Sequence, residues 1–346
     1  MVTVALDAMG GDHAPRAIVQ GAAQLSREDA DVRVLVVGDP TAIGAALAGL
    51  EYDPTRLLVV GADGRVEMSD DPRVVLEQRP ECSIAVASRL VKDGDADALV
   101  SAGSTGATIL QASRTFQRVH GIRRCALASV YPTEARHGPH KDPFALILDA
   151  GATVDATAAD LVGFAVMGAA YSSVISQIPS PRIALLSNGA EASKGTKAIV
   201  EAHRRLAGSP LNFAGNIEGL DIPRGTVDVV VCDGFLGNVV LKMLEGVSDV
   251  IADMARDASA RSLQWRLGLS MLGDGLRQLR RMTDWKSYGG APLLGLDRVV
   301  IKAHGRSEAR AIRNAIKVAA KAVRGGLIAK INDGAGALAL ATEQSS

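Results

Sequence analysis

Residues 228–246 read DVVVCDGFLGNVVLKMLEG, and this stretch decides the fold class. The β-branched run at 229–231 is typical of a buried strand, and it stops at Asp233 and Gly234, a turn signal. From Asn238 the apolar residues follow helical spacing, so the stretch predicts a strand, a glycine loop and a helix. In an open α/β sheet such a loop lies at the carboxyl end of a strand, where ligands bind.

The polar residues of this stretch have two interpretations. Asp233, Asn238 and Lys242 would face one small polar space beside a helix N-terminus, which attracts anions. Alternatively, Asp233 with Gly234 is only a turn, and Asn238 is only a helix cap. Local sequence does not separate the two.

The rest of the chain repeats the alternation of strand and helix. Strands are predicted at 2–6, 32–37, 57–60, 98–100, 127–131, 144–148, 182–186 and 299–302. The pattern predicts an α/β fold, a doubly wound, mostly parallel sheet with helices on both faces. Residues 1–330 then form one two-lobed catalytic domain, from which a helical segment at 247–287 protrudes, and 331–346 form a flexible tail.

Two loops of small residues are candidate anion sites. In the first, Gly10 and Gly11 allow the backbone to approach a ligand, and Asp12 and His13 follow at a helix start. The second loop offers backbone and hydroxyl donors at the start of the next helix. Its candidate residues are Ser101, Gly103, Ser104, Thr105 and Gly106. Capping and tight helix packing explain both loops equally well.

Further candidates lie in later loops. Lys194 stands at a predicted helix start among small residues, well placed for a phosphate, and a solvated surface lysine is the competing interpretation. Residues 213–220 are predicted to form a loop that carries Asn216. His137 and His140 lie in a polar loop whose sequence lacks a carboxylate or cysteine cluster, so we predict a mobile loop and no metal site.

Composition argues against several classes of protein. The 346 residues contain 38 basic and 38 acidic side chains, so no net charge favours nucleic acid as a partner. Three cysteines without paired spacing indicate a reducing compartment. The N-terminus lacks the basic region of a signal peptide, and no apolar run reaches transmembrane length. We therefore expect a cytoplasmic protein, and we expect no cofactor.

Six separated regions of the chain resemble one family. They read ALDAMGGDHAP at 5–15, SAGSTGA at 101–107, LDAGA at 148–152, GNIEG at 215–219, VCDGFLGNVVLK at 231–242, and YGGAPLLG at 288–295 with IKAHG at 301–305. In this order they resemble the bacterial phosphate acyltransferases of phospholipid synthesis, the PlsX type. That family usually has Asn at the positions of Ser104 and Thr153. The resemblance implies transfer of a long acyl chain from acyl carrier protein to inorganic phosphate.

The chemistry of acyl transfer to phosphate, which needs a held phosphate and donors for an oxyanion, gives a hypothesis for the roles of individual residues. Lys194, His13 and the loop 101–106 are expected to hold phosphate, while Asn238 and Asp233 position the acyl carbonyl. The remaining expected substrate contacts are Asp12, Asn216, Lys242 and His304.

One apolar stripe predicts contacts outside the catalytic core. Trp265, Leu269, Leu272 and Leu276 repeat at helical spacing, with arginines at other angles. A basic amphipathic segment with Trp is typical of a membrane contact, and such a stripe is equally typical of a dimer interface. We expect both, a homodimer through helices from about Val247 and a tip that contacts the membrane. The membrane glycerol-3-phosphate acyltransferase is a further candidate partner.

Other functions stay open at this point. A phosphotransacetylase-like enzyme that uses acyl coenzyme A shares such folds, and so does a decarboxylating dehydrogenase, which needs a metal-binding carboxylate cluster that the sequence does not show. A non-catalytic scaffold that docks carrier protein would tolerate the loss of Lys194. An acyl-cysteine mechanism through Cys232 is less favoured, because an apolar strand end makes a thiol buried and inert.

Overall fold

The computed structural model describes residues 1–67, 69–261 and 289–344, which fold into two sheets covered by helices. The strands are β1 (Val2–Asp7), β2 (Val32–Gly38), β3 (Leu57–Gly61), β4 (Ala98–Ser101), β5 (Ala126–Leu127), β6 (Ser129–His137), β7 (Asp142–Leu148), β8 (Ile183–Leu186), β9 (Phe213–Ile217), β10 (Val229–Val231), β11 (Ala291–Leu294) and β12 (Val299–Lys302). The helices are α1 (Arg16–Glu28), α2 (Pro40–Leu47), α3 (Pro72–Gln78), α4 (Ser83–Asp93), α5 (Thr105–Thr115), α6 (Ala158–Tyr171), α7 (Lys197–Ala207), α8 (Asp221–Arg224), α9 (Gly234–Arg261), α10 (Ala309–Arg324) and α11 (Leu327–Gln344).

Most of the strand pairs are parallel. The first sheet has the order β3-β2-β1-β4-β12-β11-β5, and the second has the order β6-β7-β10-β8-β9. Antiparallel pairing joins β12 to β11, β11 to β5, and β6 to β7. The predicted mostly parallel α/β class is therefore confirmed. Helices cover both faces of such strands, which is why β10 is an uninterrupted run of fully buried valines.

The helix of the opening stretch begins earlier than predicted. Helix α9 starts at Gly234 instead of Asn238, so the prediction of a glycine loop between strand and helix is wrong. Asp233 Oδ1 accepts a hydrogen bond from the Leu236 N–H at 2.8 Å, which caps the first turn. Gly237 lies inside this turn because the helix packs there on the Asp149 carbonyl, where a side chain would overlap the backbone.

Two segments predicted as loops belong to the second sheet. Residues 213–217 form β9, and the irregular register around Gly215, whose φ is +95°, hides the strand pattern in the sequence. The predicted mobile loop around His137 is a hairpin of β6 and β7. His137 is buried, and its Nδ1 lies 2.7 Å from Asp228 Oδ1. Burial raises the pKa of Asp228, but hydrogen bonds from His137 and the Arg182 N–H outweigh it and leave that pKa lowered.

The segment predicted as a tail is helical as far as Gln344, because 327–344 form α11. Ile331 is fully buried, and Ala335 and Leu338 pack against the core. A Cβ on Gly334 would lie 2.9 Å from Val166 of α6, so this glycine allows close packing of the two helices.

One helical segment has the length and hydropathy of a membrane span, contrary to the sequence prediction. It comprises 158–176, namely α6 and a π-helical turn, and 67% of its most apolar window is buried inside the protein. Phe164 and Met167 are fully buried in the same core as strands of both sheets. Of the segment predicted to protrude, 247–261 continue α9, and 262–287 lie outside the described residues.

Candidate active site

Three adjacent strands of the first sheet end in loops that touch one another. A Cβ on Gly10 would lie 2.7 Å from the Gly103 nitrogen, and one on Gly11 would lie 3.1 Å from the Gly305 oxygen. The Asp12 N–H donates to the same Gly305 oxygen at 2.8 Å. The loops after β1, β4 and β12 (10–13, 102–106 and 303–305) therefore form one structure, which we call the anion cradle.

The exposed groups of the anion cradle are the ones that the two small-residue loops predict. Asp12, His13 and Thr105 are exposed, and Ser104 is half-buried at the start of α5. No side-chain hydrogen bond from Ser104 caps that helix. The first-turn N–H groups of α5 and the nearby hydroxyls are therefore available to an anion.

Two buried charged residues beneath the cradle escaped sequence analysis. Asp7 accepts hydrogen bonds from Ser83 Oγ at 2.6 Å and Ser101 Oγ at 2.7 Å, and burial raises its pKa while these donors oppose the shift. Lys302 ends β12, and burial lowers its pKa to about 8, against the opposing effect of the carboxylates of Asp7 and Asp12. A lysine directly at the end of the apolar run 299–301 is the sequence signal that could have identified it.

Ser101, which is predicted to bind phosphate, is buried and hydrogen-bonded within the protein. Its Oγ donates to Asp7 and accepts from the Gly103 N–H at 3.1 Å, and the residue is fully buried. It therefore holds the loop that follows β4 in place, and its hydroxyl is already engaged within the protein.

His304 is a histidine of the anion cradle whose pKa is shifted by its surroundings. Burial and the neighbouring Lys302 lower the pKa of His304, while the carboxylate of Glu245 on α9 opposes that shift. The imidazole is consequently neutral at pH 7. Glu245 is the residue of α9 whose charge acts on this imidazole. Lys242 is exposed one turn before Glu245 on the same helix.

The first turns of α9 rest on the loop after β7. Asp149 is fully buried and accepts hydrogen bonds from the backbone N–H groups of Leu127, Gly151, Ala152 and Thr153, at 2.7, 3.0, 3.1 and 2.5 Å. Asn238 Nδ2 donates to the Ala150 oxygen at 3.3 Å. The Asn238 side chain on α9 thus contacts the loop after β7, whose backbone is held in place by Asp149. Asp233 caps the first turn of α9, the helix that carries Asn238.

Lys194 and Asn216 lie together in the second sheet. The Lys194 side chain covers Gly189 after β8, where a Cβ would approach Lys194 Cγ to 2.8 Å. Asn216 is buried in β9, and its Nδ2 donates to the Glu191 oxygen at 2.9 Å. Its Oδ1 lies 3.0 Å from His203 Nδ1. Asn216 therefore holds the loop that carries Lys194, and the exposed ammonium is the group of this pair that can reach a ligand.

Cys232 is buried at the end of β10, as predicted. Burial, together with the nearby carboxylates of Asp233 and Asp149, raises the pKa of its thiol. A thiol in this environment stays protonated and is a poor nucleophile.

The predicted membrane-contact residues are not among those that the structure describes. Trp265, Leu269, Leu272 and Leu276 lie outside the described residues. In the part of the chain that the structure describes, no group of three His, Cys, Asp or Glu side chains is arranged to hold a metal ion.

Comparisons with known proteins match nearly the whole chain. A family model described as "Fatty acid synthesis protein" matches residues 2–330. Two proteins called phosphate acyltransferase, from Moorella thermoacetica and Heliobacterium modesticaldum, are 42% identical over 334 and 331 residues. The first alignment covers 96% of both chains, and the second covers 95% of this chain and 96% of the relative.

A solved structure supports the fold. A phosphotransacetylase from Streptococcus pyogenes superposes with a TM-score of 0.63 at 19% sequence identity, covering 93% of this chain and 94% of that one. At this identity the likeness concerns the fold alone.

Proposed function

This chain belongs to the phosphate acyltransferase family, and from that premise we propose its substrates and product. A long-chain fatty acyl group is moved from acyl carrier protein to inorganic phosphate, and the acyl phosphate product enters phospholipid synthesis. The observation that carries the proposal is the anion cradle, where glycine contacts bring three strand ends and the start of α5 together. Backbone N–H groups in such loops suit a small anion.

The reaction requires positioning more than a nucleophile. A phosphate oxygen attacks the thioester carbonyl carbon, the C–S bond breaks, and the carrier-protein sulfur leaves with the electron pair as a thiolate. A thiol with a pKa of about 8.5 leaves readily, so general acid catalysis is not essential. Cys232 takes no part, because the buried thiol stays protonated.

The residues take the following roles in this proposal. His13 and the first-turn N–H groups of α5 bind phosphate in the cradle, and Lys194 reaches it from the second sheet. Asn238 positions the acyl carbonyl from the first turns of α9, and Asp233 acts through that helix by capping it. The oxyanion of the tetrahedral intermediate requires such fixed donors.

The test is phosphate-dependent release of thiol from long-chain acyl carrier protein, compared with the matching acyl coenzyme A. Release from the carrier-protein substrate, with an acyl phosphate that hydroxylamine traps, supports the proposal. Release only from coenzyme A indicates the phosphotransacetylase-like alternative instead. His13→Ala and Lys194→Ala should each reduce turnover or phosphate affinity, whereas Lys92→Ala, an exposed lysine on α4, serves as the control.

We also propose that a second copy of the chain binds α9. An apolar stripe runs along the exposed side of this helix at steps of three or four residues, which is the spacing of one helical face. Its members are 39–66% exposed: Phe235, Val239, Met243, Val247, Val250 and Met254. Two antiparallel or parallel copies of α9 would cover each other's stripe.

The proposal of a membrane contact is based on the amino-acid sequence alone. We propose that the amphipathic segment with Trp265 places a cytoplasmic enzyme at the bilayer, close to the membrane glycerol-3-phosphate acyltransferase that would use its product. Flotation with liposomes tests the contact. Loss of flotation on combining Leu269→Glu with Leu272→Glu supports it, and unchanged flotation removes it.

A further inference from the structure

The last residues of three adjacent strands form a buried polar row beneath the anion cradle. Parallel pairing places Asp7 of β1 opposite Ser101 of β4, and Ser101 opposite Lys302 of β12. Residues in the same register of a sheet project from the same face. Asp7, Ser101 and Lys302 are 2%, 0% and 6% exposed, so the row is shielded from water.

Lys302 is the buried cation of this row. Among the described residues its ammonium donates one hydrogen bond, to the oxygen of Ala303, and none of their ion pairs includes it. An ammonium has three N–H donors, so two are left for another acceptor. A buried charge is costly, and the carboxylates of Asp7 and Asp12 compensate that of Lys302 only in part, since its pKa stays lowered, so an anion bound above it would be a further favourable partner.

Two carboxylates near the anion cradle would repel a bound phosphate, and Lys302 supplies a charge of the opposite sign. Asp7 lies beneath the cradle and Asp12 on its rim, and both would repel a phosphate dianion. His304 carries no charge at pH 7, because burial and Lys302 lower its pKa. Arg306 and Lys194 are both exposed, so water weakens the electrostatic field of each compared with that of a buried ammonium.

Lys302 is also joined to the cradle through the backbone. Its ammonium bonds to the Ala303 oxygen, and the Ala303 N–H donates to the Ser101 oxygen at 2.8 Å. Two residues further on, Gly305 accepts the Asp12 N–H. A change at Lys302 therefore acts on both the charge and the shape of the anion cradle.

We propose that Lys302 is a positioning residue for phosphate, which holds the turn 303–305 in place and supplies the positive potential that lets the cradle accept a dianion beside two carboxylates. The inference rests on the proposed function, in which inorganic phosphate is the acyl acceptor. It assigns the selectivity for an anionic acceptor to a residue beneath the cradle.

The experiment compares Lys302→Met, which keeps the length and loses the charge, with Lys302→Arg and with Lys92→Met on the exposed side of α4. Loss of a hydrogen-bonded charge predicts a KM for phosphate that rises roughly tenfold or more in Lys302→Met. The KM for the acyl donor should stay within about twofold, since the charge acts on one substrate. Lys302→Arg should recover part of the phosphate affinity, and Lys92→Met should match the wild type.

The dependence of phosphate affinity on pH separates this role from a structural one. The pKa of Lys302 is about 8, with Asp7, Asp12 and His304 as the neighbouring titratable groups. Wild-type affinity for phosphate should therefore fall as the pH rises from 7 to 9, whereas Lys302→Met should show low affinity with little change. Phosphate itself gains charge over this range, which works against the expected loss.

The proposal is overturned if Lys302→Met binds phosphate normally, or if both substrates lose affinity equally. If this variant does not fold, the wild type is compared with Lys302→Arg, whose guanidinium stays charged over this range, and identical pH profiles of phosphate affinity in the two proteins overturn the proposal. Calorimetric titration with inorganic phosphate alone repeats the measurement without an acyl donor. Binding that depends on Lys302 in a protein that releases no thiol would refute the proposed function and leave this inference standing.

Discussion

Gly237→Ala tests the packing that positions α9. Gly237 lies in the first turns of α9 against the carbonyl of Asp149, and an added Cβ would overlap the carbonyl oxygen. The same Cβ would lie 3.0 Å from the carbonyl carbon and 3.1 Å from Cys232 Sγ, both below the 3.4 Å at which ordinary contact begins. The neighbouring Asp149 side chain accepts four backbone hydrogen bonds, so the strand end is not free to retreat.

The magnitude follows from these contacts. Relieving the carbon contact alone requires a shift of 0.4 Å, from 3.0 to 3.4 Å, and the oxygen requires more. Overpacking a core in this way costs about 1–3 kcal/mol, and an overlap with backbone should lie at the upper end because no rotamer change relieves it. Gly44→Ala in α2 is the matched control, since its Cβ meets nothing within 4 Å. Alanine should stabilise that helix by about 0.5–1 kcal/mol.

Urea unfolding of the two variants and the wild type measures this difference. Thiol release should also fall on the order of a hundredfold in Gly237→Ala, because a shift of about 1 Å misplaces Asn238. The reasoning is refuted if Gly237→Ala unfolds at the same urea concentration as the wild type, or if Gly44→Ala loses as much activity.

Three further predictions concern other parts of the molecule. Cys232→Ala should keep its turnover within about twofold of the wild type, and a loss of several orders of magnitude would support an acyl-cysteine mechanism instead. Asp228→Asn should destabilise the fold by about 1.5–3 kcal/mol at pH 7, because a neutral amide replaces the carboxylate beside His137 and the Arg182 N–H, as urea unfolding would show. The pKa of Asp228 is lowered in the folded protein, so its carboxylate stabilises the fold above about pH 4. This stabilisation disappears as the pH falls through the folded-state pKa. The difference in unfolding free energy between the wild type and Asp228→Asn should therefore shrink in acid. Met243→Asp on the stripe of α9 should give a monomer in sedimentation experiments, and an unchanged mass would remove α9 from the dimer interface.

Sequence analysis predicted the strands well and the ends of elements less well. The valines of β10 are an apolar run that only a strand buried on both faces requires, so the pattern was decisive. Gly234 and Gly237 resemble a loop in sequence, but they are helical because α9 must approach a strand end closely. β9 was missed because the irregularity at Gly215 interrupts its alternation.

The candidate site was predictable only where its residues occur in loops. His13 and the start of α5 lie in small-residue turns that indicate an anion site, and the structure joins those turns. Asp7 and Lys302 are nearly 300 residues apart, and only the order β1-β4-β12 makes them near neighbours. Strand order depends on which surfaces pack together, and no local pattern encodes it.

The buried carboxylate of Asp149 has a consequence for the way substrates enter. It binds the Leu127 N–H of the first sheet and three N–H groups of the loop after β7 in the second, and the Ala150 N–H donates to the Leu127 oxygen at 2.8 Å. Separating the two sheets here would break hydrogen bonds to the Asp149 carboxylate, which is buried and could not replace them with water. Opening the two sheets at this position would therefore be costly, and we expect substrate and product to pass by movements of the surrounding loops instead.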